Sequence, residues 1–292
     1  MPIMARLGAC VWLVLAAGAG ANLLPWGVVE PLFLLAPLVL VPIALPLVSR
    51  TRPVDLQVAL PVGAWAAAGA LVLRAGPLAG ALAIAWLAVT IRLAGVGALR
   101  LARRRPDAAE AAIDLGLIAL PVGGAWFVAS RLGLTPMGFG EPIVLLTAVH
   151  FHYAAFTALV WTGCAARRLP ATRARRLAVA GVAVGTPLLA AGISLAPWLE
   201  LLGALVLAAS LGSLAVRVLV RPPSPRALLL RISAVSVLFS LPLAVAYAWG
   251  QVATPLVSLA TMARLHGTAN ALGFGLCGLL GWARLTDDCG AS

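Results

Sequence analysis

The chain has 292 residues, 62% of them hydrophobic and only 10% charged, with a mean hydropathy of +1.05 and a formal net charge of +12. Soluble domains typically carry about 25% charged residues, so this composition excludes a soluble fold, and lipid must be the solvent for much of the chain. All the basic charge is arginine, with no lysine. It falls in short clusters between apolar runs, which argues against nucleic-acid binding and for membrane loops.

A helical span needs roughly 20 apolar residues. In chain order such segments fall near 7–24, 28–48, 56–74, 77–98, 110–130, 141–165, 174–194, 198–219, 228–249 and 258–283. The first, MPIMARLGACVWLVLAAGAGA, also has the one basic residue, short apolar core and small-residue end of a signal peptide. An uncleaved first helix is expected, because the next span follows at once. The fold class is therefore all-α: a polytopic transmembrane helical bundle of about ten spans. No linker or soluble segment interrupts it, so residues 1–292 are expected to form one integral membrane domain.

Arginine counting sets the orientation. Arg50 and Arg52 lie between spans two and three, and Arg100, Arg103, Arg104 and Arg105 between four and five. Arg167, Arg168, Arg173, Arg175 and Arg176 lie between six and seven, and Arg217, Arg221, Arg226 and Arg231 near the eighth connection. The other connections hold only Arg74 and Arg131. By the positive-inside rule the even connections and both termini are cytoplasmic. Cys10, Cys164, Cys277 and Cys289 share no CxxC spacing and are expected as reduced packing residues.

Pro37, Pro42, Pro46, Pro61, Pro121, Pro187 and Pro242 fall inside spans, so kinked helices are expected. In the last span Gly267, Ala271 and Gly275 make a small-residue ridge on which another helix can pack.

The polar residues inside the membrane are fewer and more informative. Counting inward from Glu141 at 1.5 Å per residue puts His150 and His152 ~14–17 Å down the sixth span, near the middle of a hydrocarbon core about 30 Å thick. His266 lies about 12 Å below a start near residue 258, with Asn270 one turn on. All three histidines of the chain thus reach similar depth, where an ionisable residue is a functional-site hypothesis by default. The candidate ligand-binding or proton-relay residues are His150, His152, Tyr153, His266 and Asn270; His150, His152 and His266 are also the candidate metal ligands. Residues two apart on a straight helix point about 200° apart, so His150 and His152 share a centre only if a π-bulge intervenes. Two histidines from different helices, as axial haem ligands, as ligands of a transition metal or as a proton-relay pair, require less distortion. His266, Asn270, Gly273 and Cys277 follow one stripe, with a gap at Gly273 for another group. Glu30, Glu141 and Glu200 lie near outer ends, and Arg264 is expected to pair with one of them.

Two motifs, LTAVHFHYAAF (Leu146–Phe156) and RLHGTANALGFGLCGLLGW (Arg264–Trp282), resemble the YndJ-like bacterial membrane proteins. The resemblance implies a multi-pass bacterial inner-membrane protein and carries over His150, His152, Tyr153, His266, Gly267 and Asn270 as motif positions; it supplies no chemistry. It also implies that some relatives are longer, with an extra soluble portion. Since this chain stops soon after its last span, any role of that portion is expected to be absent or supplied elsewhere.

Three functions compete. The first is an intramembrane His/Asn site binding a metal, haem or a small lipid-soluble or proton-linked ligand. The second is a secondary transporter or permease using the same histidines for substrate or coupling protons. The third is a structural or assembly protein with histidines as helix glue. No Walker loop, HExxH or dinucleotide fingerprint is present, which disfavours familiar ATPases, zinc proteases and NAD enzymes. Whether the chain is an enzyme stays open, as does its oligomeric state, and the lipid bilayer is its one firm partner.

Overall fold

The computed structural model describes residues 1–48, 54–103, 107–224 and 227–288. Arg50, Arg52, Arg104, Arg105, Arg226 and Cys289 lie outside them. Among the described residues all regular structure is helical: one 3-10 turn, Pro136–Gly138, and ten longer helices once contiguous segments are joined. They are α1 (Ile3–Gly20), α2 (Val29–Val48), α3 (Val54–Val72), α4 (Pro77–Arg103) and α5 (Ala108–Leu132). Then come α6 (Ile143–Arg168), α7 (Arg173–Leu195), α8 (Pro197–Val220), α9 (Leu228–Val252) and α10 (residues 259–288). Eight are long and apolar enough to cross a membrane. The other two are α3, whose apolar stretch is the shorter Leu56–Val72, and α10, where Arg264, His266 and Asn270 dilute the hydropathy.

The chain divides into two compact units, Met1–Arg103 with Gly116–Phe156, and Arg104–Leu115 with Thr157–Ser292. In the first unit α2 is the centre: Phe33, Leu34, Ala36, Leu38, Leu40, Ile43 and Ala44 are completely buried. A helix apolar on all sides is one that other helices surround. On one side α1 packs so closely that a side chain at Gly8 would overlap the Leu38 carbonyl. The α3–α4 pair uses the same device, with the Cβ position of Gly63 3.1 Å from the Ala85 oxygen.

In the second unit α7, α8, α9 and α10 pack each on the next, and the segment 158–168 of α6 packs on α7 and α8. Only Ala196 joins α7 to α8, with Pro197 opening α8 where its missing N–H costs no hydrogen bond. Lipid tails are as apolar as leucine, so helices there associate by close packing. Gly181, Gly185, Gly192 and Gly203 supply it: a Cβ at Gly203 would lie 2.5 Å from the Leu189 nitrogen.

The arginines of the even helix ends also satisfy carbonyls that a helix C-terminus leaves open. Arg100 donates to the Val48 oxygen at the end of α2. Arg175 donates to Ala166 and Leu169, at 2.6 and 3.1 Å, at the end of α6. Arg167 pairs with Glu110 at 2.6 Å, tying the end of α6 to the start of α5. Glu30 and Glu141 act locally too: Glu30 accepts from the Gly27 amide and Glu141 from the Leu145 amide. Arg264 departs from expectation. It is exposed, and among the described residues it makes no ion pair, because α10 buries the face of Ala271, Phe274 and Gly275 instead.

Gly203→Leu should therefore separate α7 from α8 and lower the thermal unfolding midpoint in detergent by several degrees. Gly95→Ala, where nothing lies within 4 Å, should leave it unchanged.

Candidate functional site

The motif residues sit where the helices change their pitch. A π-helical stretch, Phe151–Thr157, begins directly after His150. In α10, Met262–Gly267 and Ala269–Cys277 are π-helical, and so is Ala36–Leu40 in α2. Such stretches are rare and concentrate at functional sites. They change which N–H serves which carbonyl, and every buried carbonyl still needs a donor.

In the first unit, that need organises the sixth helix. Ala36 turns its N–H to Phe33, and Pro37 has no N–H to offer Leu32 in the i→i+5 pattern. The Tyr153 hydroxyl donates to the Leu32 carbonyl instead, at 2.8 Å. His152 is wholly buried beside it. Its Nε2 lies 3.0 Å from the Trp86 indole nitrogen, and its Nδ1 lies 2.7 Å from the Ala148 oxygen. An indole N–H only donates and a carbonyl only accepts. His152 is therefore neutral, protonated on Nδ1, with both nitrogens engaged. Phe33 meets the ring edge-on with centroids 5.3 Å apart, Phe127 stacks on Phe33 at 4.1 Å, and Trp86 lies over the imidazole at 5.9 Å. A methyl group at Gly123 would be 2.7 Å from His152 Nδ1. His150 is only partly buried and meets Phe151 edge-on, with centroids 6.2 Å apart.

In the second unit, α10 lies against α9, with Ser236 opposite Gly273 and Ser233 opposite Gly278. Gly273 leaves room for the Ser236 side chain, the approaching group the stripe in α10 required. Ser233 accepts from the Trp161 indole at 3.1 Å and donates to the Phe274 carbonyl at 2.8 Å, inside the π-helical stretch. One end of the seam is a closed circuit of three residues. His266 Nδ1 is 2.9 Å from the Ser240 carbonyl, which fixes the proton on Nδ1. His266 Nε2 then accepts from the Asn270 amide nitrogen at 3.0 Å, and Asn270 Oδ1 accepts from the Ser240 hydroxyl at 2.9 Å. Ser240 thus closes the ring with its carbonyl at one end and its hydroxyl at the other. His266 and Asn270 stay partly exposed.

Of the five candidate residues, the fold brings His266 and Asn270 into direct contact and places His152 and Tyr153 side by side in the first unit. A metal at either His152 or His266 would have to displace a hydrogen bond, and among the described residues no three His, Cys, Asp or Glu side chains are grouped to hold one. Cys10, Cys164 and Cys277 are free thiols. Three partners went unrecognised in the sequence: Trp86, Ser233 and Ser240. Ser233, Ser236 and Ser240 recur at helical spacing along α9, a signal that was visible there.

The family model of YndJ-like proteins matches residues 31–274, a range that holds the first motif, the start of the second and all five candidate residues. The chain belongs to the YndJ-like family. It is 31% identical over 268 residues to the "Uncharacterized membrane protein YndJ" of Bacillus subtilis (strain 168). That alignment covers 87% of this chain and 48% of the relative, so the chain spans about half the length of the curated relative it matches. No solved structure matches. A multi-pass membrane protein of the YndJ-like family, with lipid as its surroundings, is thus the level at which fold, family and relative agree.

Trp86→Phe removes the indole donor that faces His152 Nε2 and should cost about 1–3 kcal/mol, as for other buried groups left unsatisfied. Gly123→Ala overpacks the same ring and should cost a similar amount, about 1–3 kcal/mol. Thermal unfolding in detergent measures both.

Proposed function

We propose that this is a bacterial inner-membrane protein whose polar site is Ser240, His266 and Asn270, serving a proton or a small proton-linked ligand. The observation that carries the reading is the contrast between the two histidine environments. His152 is sealed among Phe33, Phe127 and Trp86, whereas His266 and Asn270 are partly exposed. An imidazole is the side chain best suited to take up and release a proton under physiological conditions. The size of the ligand is argued from the surroundings. The open apolar cavity of the second unit, about 560 Å³, is lined by residues such as Leu238, Pro242 and Trp249, and neither His266 nor Asn270 lines it. A proton needs no cavity.

On this reading His152 and Tyr153 act as helix glue, which their enclosure favours. The arginine-bearing ends of α4, α6 and α8 face the cytoplasm with both termini. A secondary transporter or permease would use the same site to carry its coupling proton.

Two measurements test this. In proteoliposomes loaded with a pH-sensitive dye, an imposed potential should drive proton entry that His266→Gln abolishes and Cys10→Ser leaves intact; equal rates in all three proteins would refute the site. A C-terminal GFP fusion should fluoresce while an alkaline phosphatase fusion at the same point stays inactive; the reverse would refute the orientation.

A further inference from the structure

The Ser240–His266–Asn270 circuit contains one acceptor more than it uses. The Ser240 hydroxyl, which donates to Asn270 Oδ1 at 2.9 Å, also lies 3.1 Å from the Val237 carbonyl of its own helix. A hydroxyl has one proton and serves one acceptor fully at a time. With His266 neutral, that proton goes to Asn270 and every member of the ring is paired.

If His266 gains a proton on Nε2, two donors would face each other, since the Asn270 NH2 already points there. The conflict has a local solution. The Asn270 amide turns over, so that Oδ1 accepts from Nε2–H and the NH2 donates to Ser240 Oγ. The hydroxyl then swings its own proton to the Val237 oxygen. Nδ1–H keeps its bond to the Ser240 carbonyl throughout. One proton enters, nothing leaves, each donor again has an acceptor, and no backbone atom has to move. We propose that Ser240, His266 and Asn270, with the Val237 carbonyl as the reserve acceptor, form a two-state proton-binding site in which the amide flip registers the charge. This deepens the function proposed above and rests on it for its physiological use only.

His152 provides the contrast. It too is engaged through both ring nitrogens, but its Nε2 faces an indole N–H that cannot be turned into an acceptor. Protonation there would forfeit the Trp86 bond. Two neutral, doubly bonded imidazoles thus differ in capacity because one neighbour is an amide, with a donor end and an acceptor end, and the other is not.

The charged and titratable neighbours are few. On α9 they are Arg231 and Tyr247, each about two turns or more from Ser240. On α10 they are the exposed Arg264, and Cys277 and Arg284 towards the other end. Among the described residues of this unit none of these hydrogen-bonds to His266. The site therefore reads proton activity through its own circuit.

Nitrogen-15 NMR of histidine- and asparagine-labelled full-length protein in nanodiscs, scanned from about pH 4 to pH 8, tests this. One imidazole, identified by its loss in His266→Gln, should pass from the Nδ1–H form to the doubly protonated form. The Asn270 side-chain amide should shift at the same midpoint, while the His152 signal stays neutral. Ser240→Ala removes the acceptor for the flipped amide and should weaken proton binding about tenfold, the scale of one hydrogen bond to a charged system. A His266 signal that stays neutral throughout, or one that titrates without a coupled Asn270 shift, overturns the proposal. Coupled titration together with unimpaired proton entry in His266→Gln proteoliposomes would uphold the two-state site and refute the function instead.

Discussion

A backbone carbonyl inside a membrane has no water to turn to, and that constraint accounts for much of the polar detail in this protein. Proline, π-helical stretches and helix ends each leave carbonyls short of a donor. Side chains from other segments donate to backbone carbonyls across the fold. Trp12 donates to Pro31, Trp26 to Leu71, Tyr153 to Leu32, Ser233 to Phe274 and His266 to Ser240. At the arginine-rich ends Arg100 and Arg175 do the same for the last carbonyls of α2 and α6. Most of these bonds also join two helices.

Apolar contact gives little preference between helices in lipid, so pairing depends on how closely backbones approach and on what hydrogen-bonds across the gap. The α9–α10 seam uses both. Gly273, Gly278 and Gly281 make room on one helix for Ser236, Ser233 and Leu230 of the other. Trp161 then meets Ser233, Phe274 and Trp282 at the same seam, which anchors the far half of α10 while His266 and Asn270 occupy its other end. A rigid seam beside a partly exposed polar circuit is an arrangement in which side-chain protons can move without the helices doing so.

The family match gives these residues context without deciding their use. The matched range runs from α2 to about the middle of α10, so the aromatic enclosure of His152 and the His266–Asn270 contact both fall within it. The B. subtilis relative is described as a membrane protein and is about twice the length of the aligned region. Shared sequence therefore points to the helical part held in common, which the family model places within residues 31–274.

Much of this was legible in the sequence. Composition and segment length alone determine an all-helical membrane protein, because no soluble fold can hide so much apolar surface. Each expected span corresponds to one of the helices α1–α10, and the two motifs mark the residues that carry the polar bonds. The i, i+2 spacing of His150 and His152 left a π-bulge as one of two alternatives, and a π-helical stretch, Phe151–Thr157, lies there. What the sequence could not decide is which group each polar atom meets. Trp86 and Ser240 look like ordinary span residues until the helices pack, and Arg264 looks like an ion-pair partner until α10 turns it outward. Periodicity specifies the direction of a side chain on its own helix. Its partner depends on the rotation and depth of the neighbouring helix, which close glycine contacts set across distant parts of the chain, and only the tertiary structure shows that Asn270, rather than an indole, stands opposite His266.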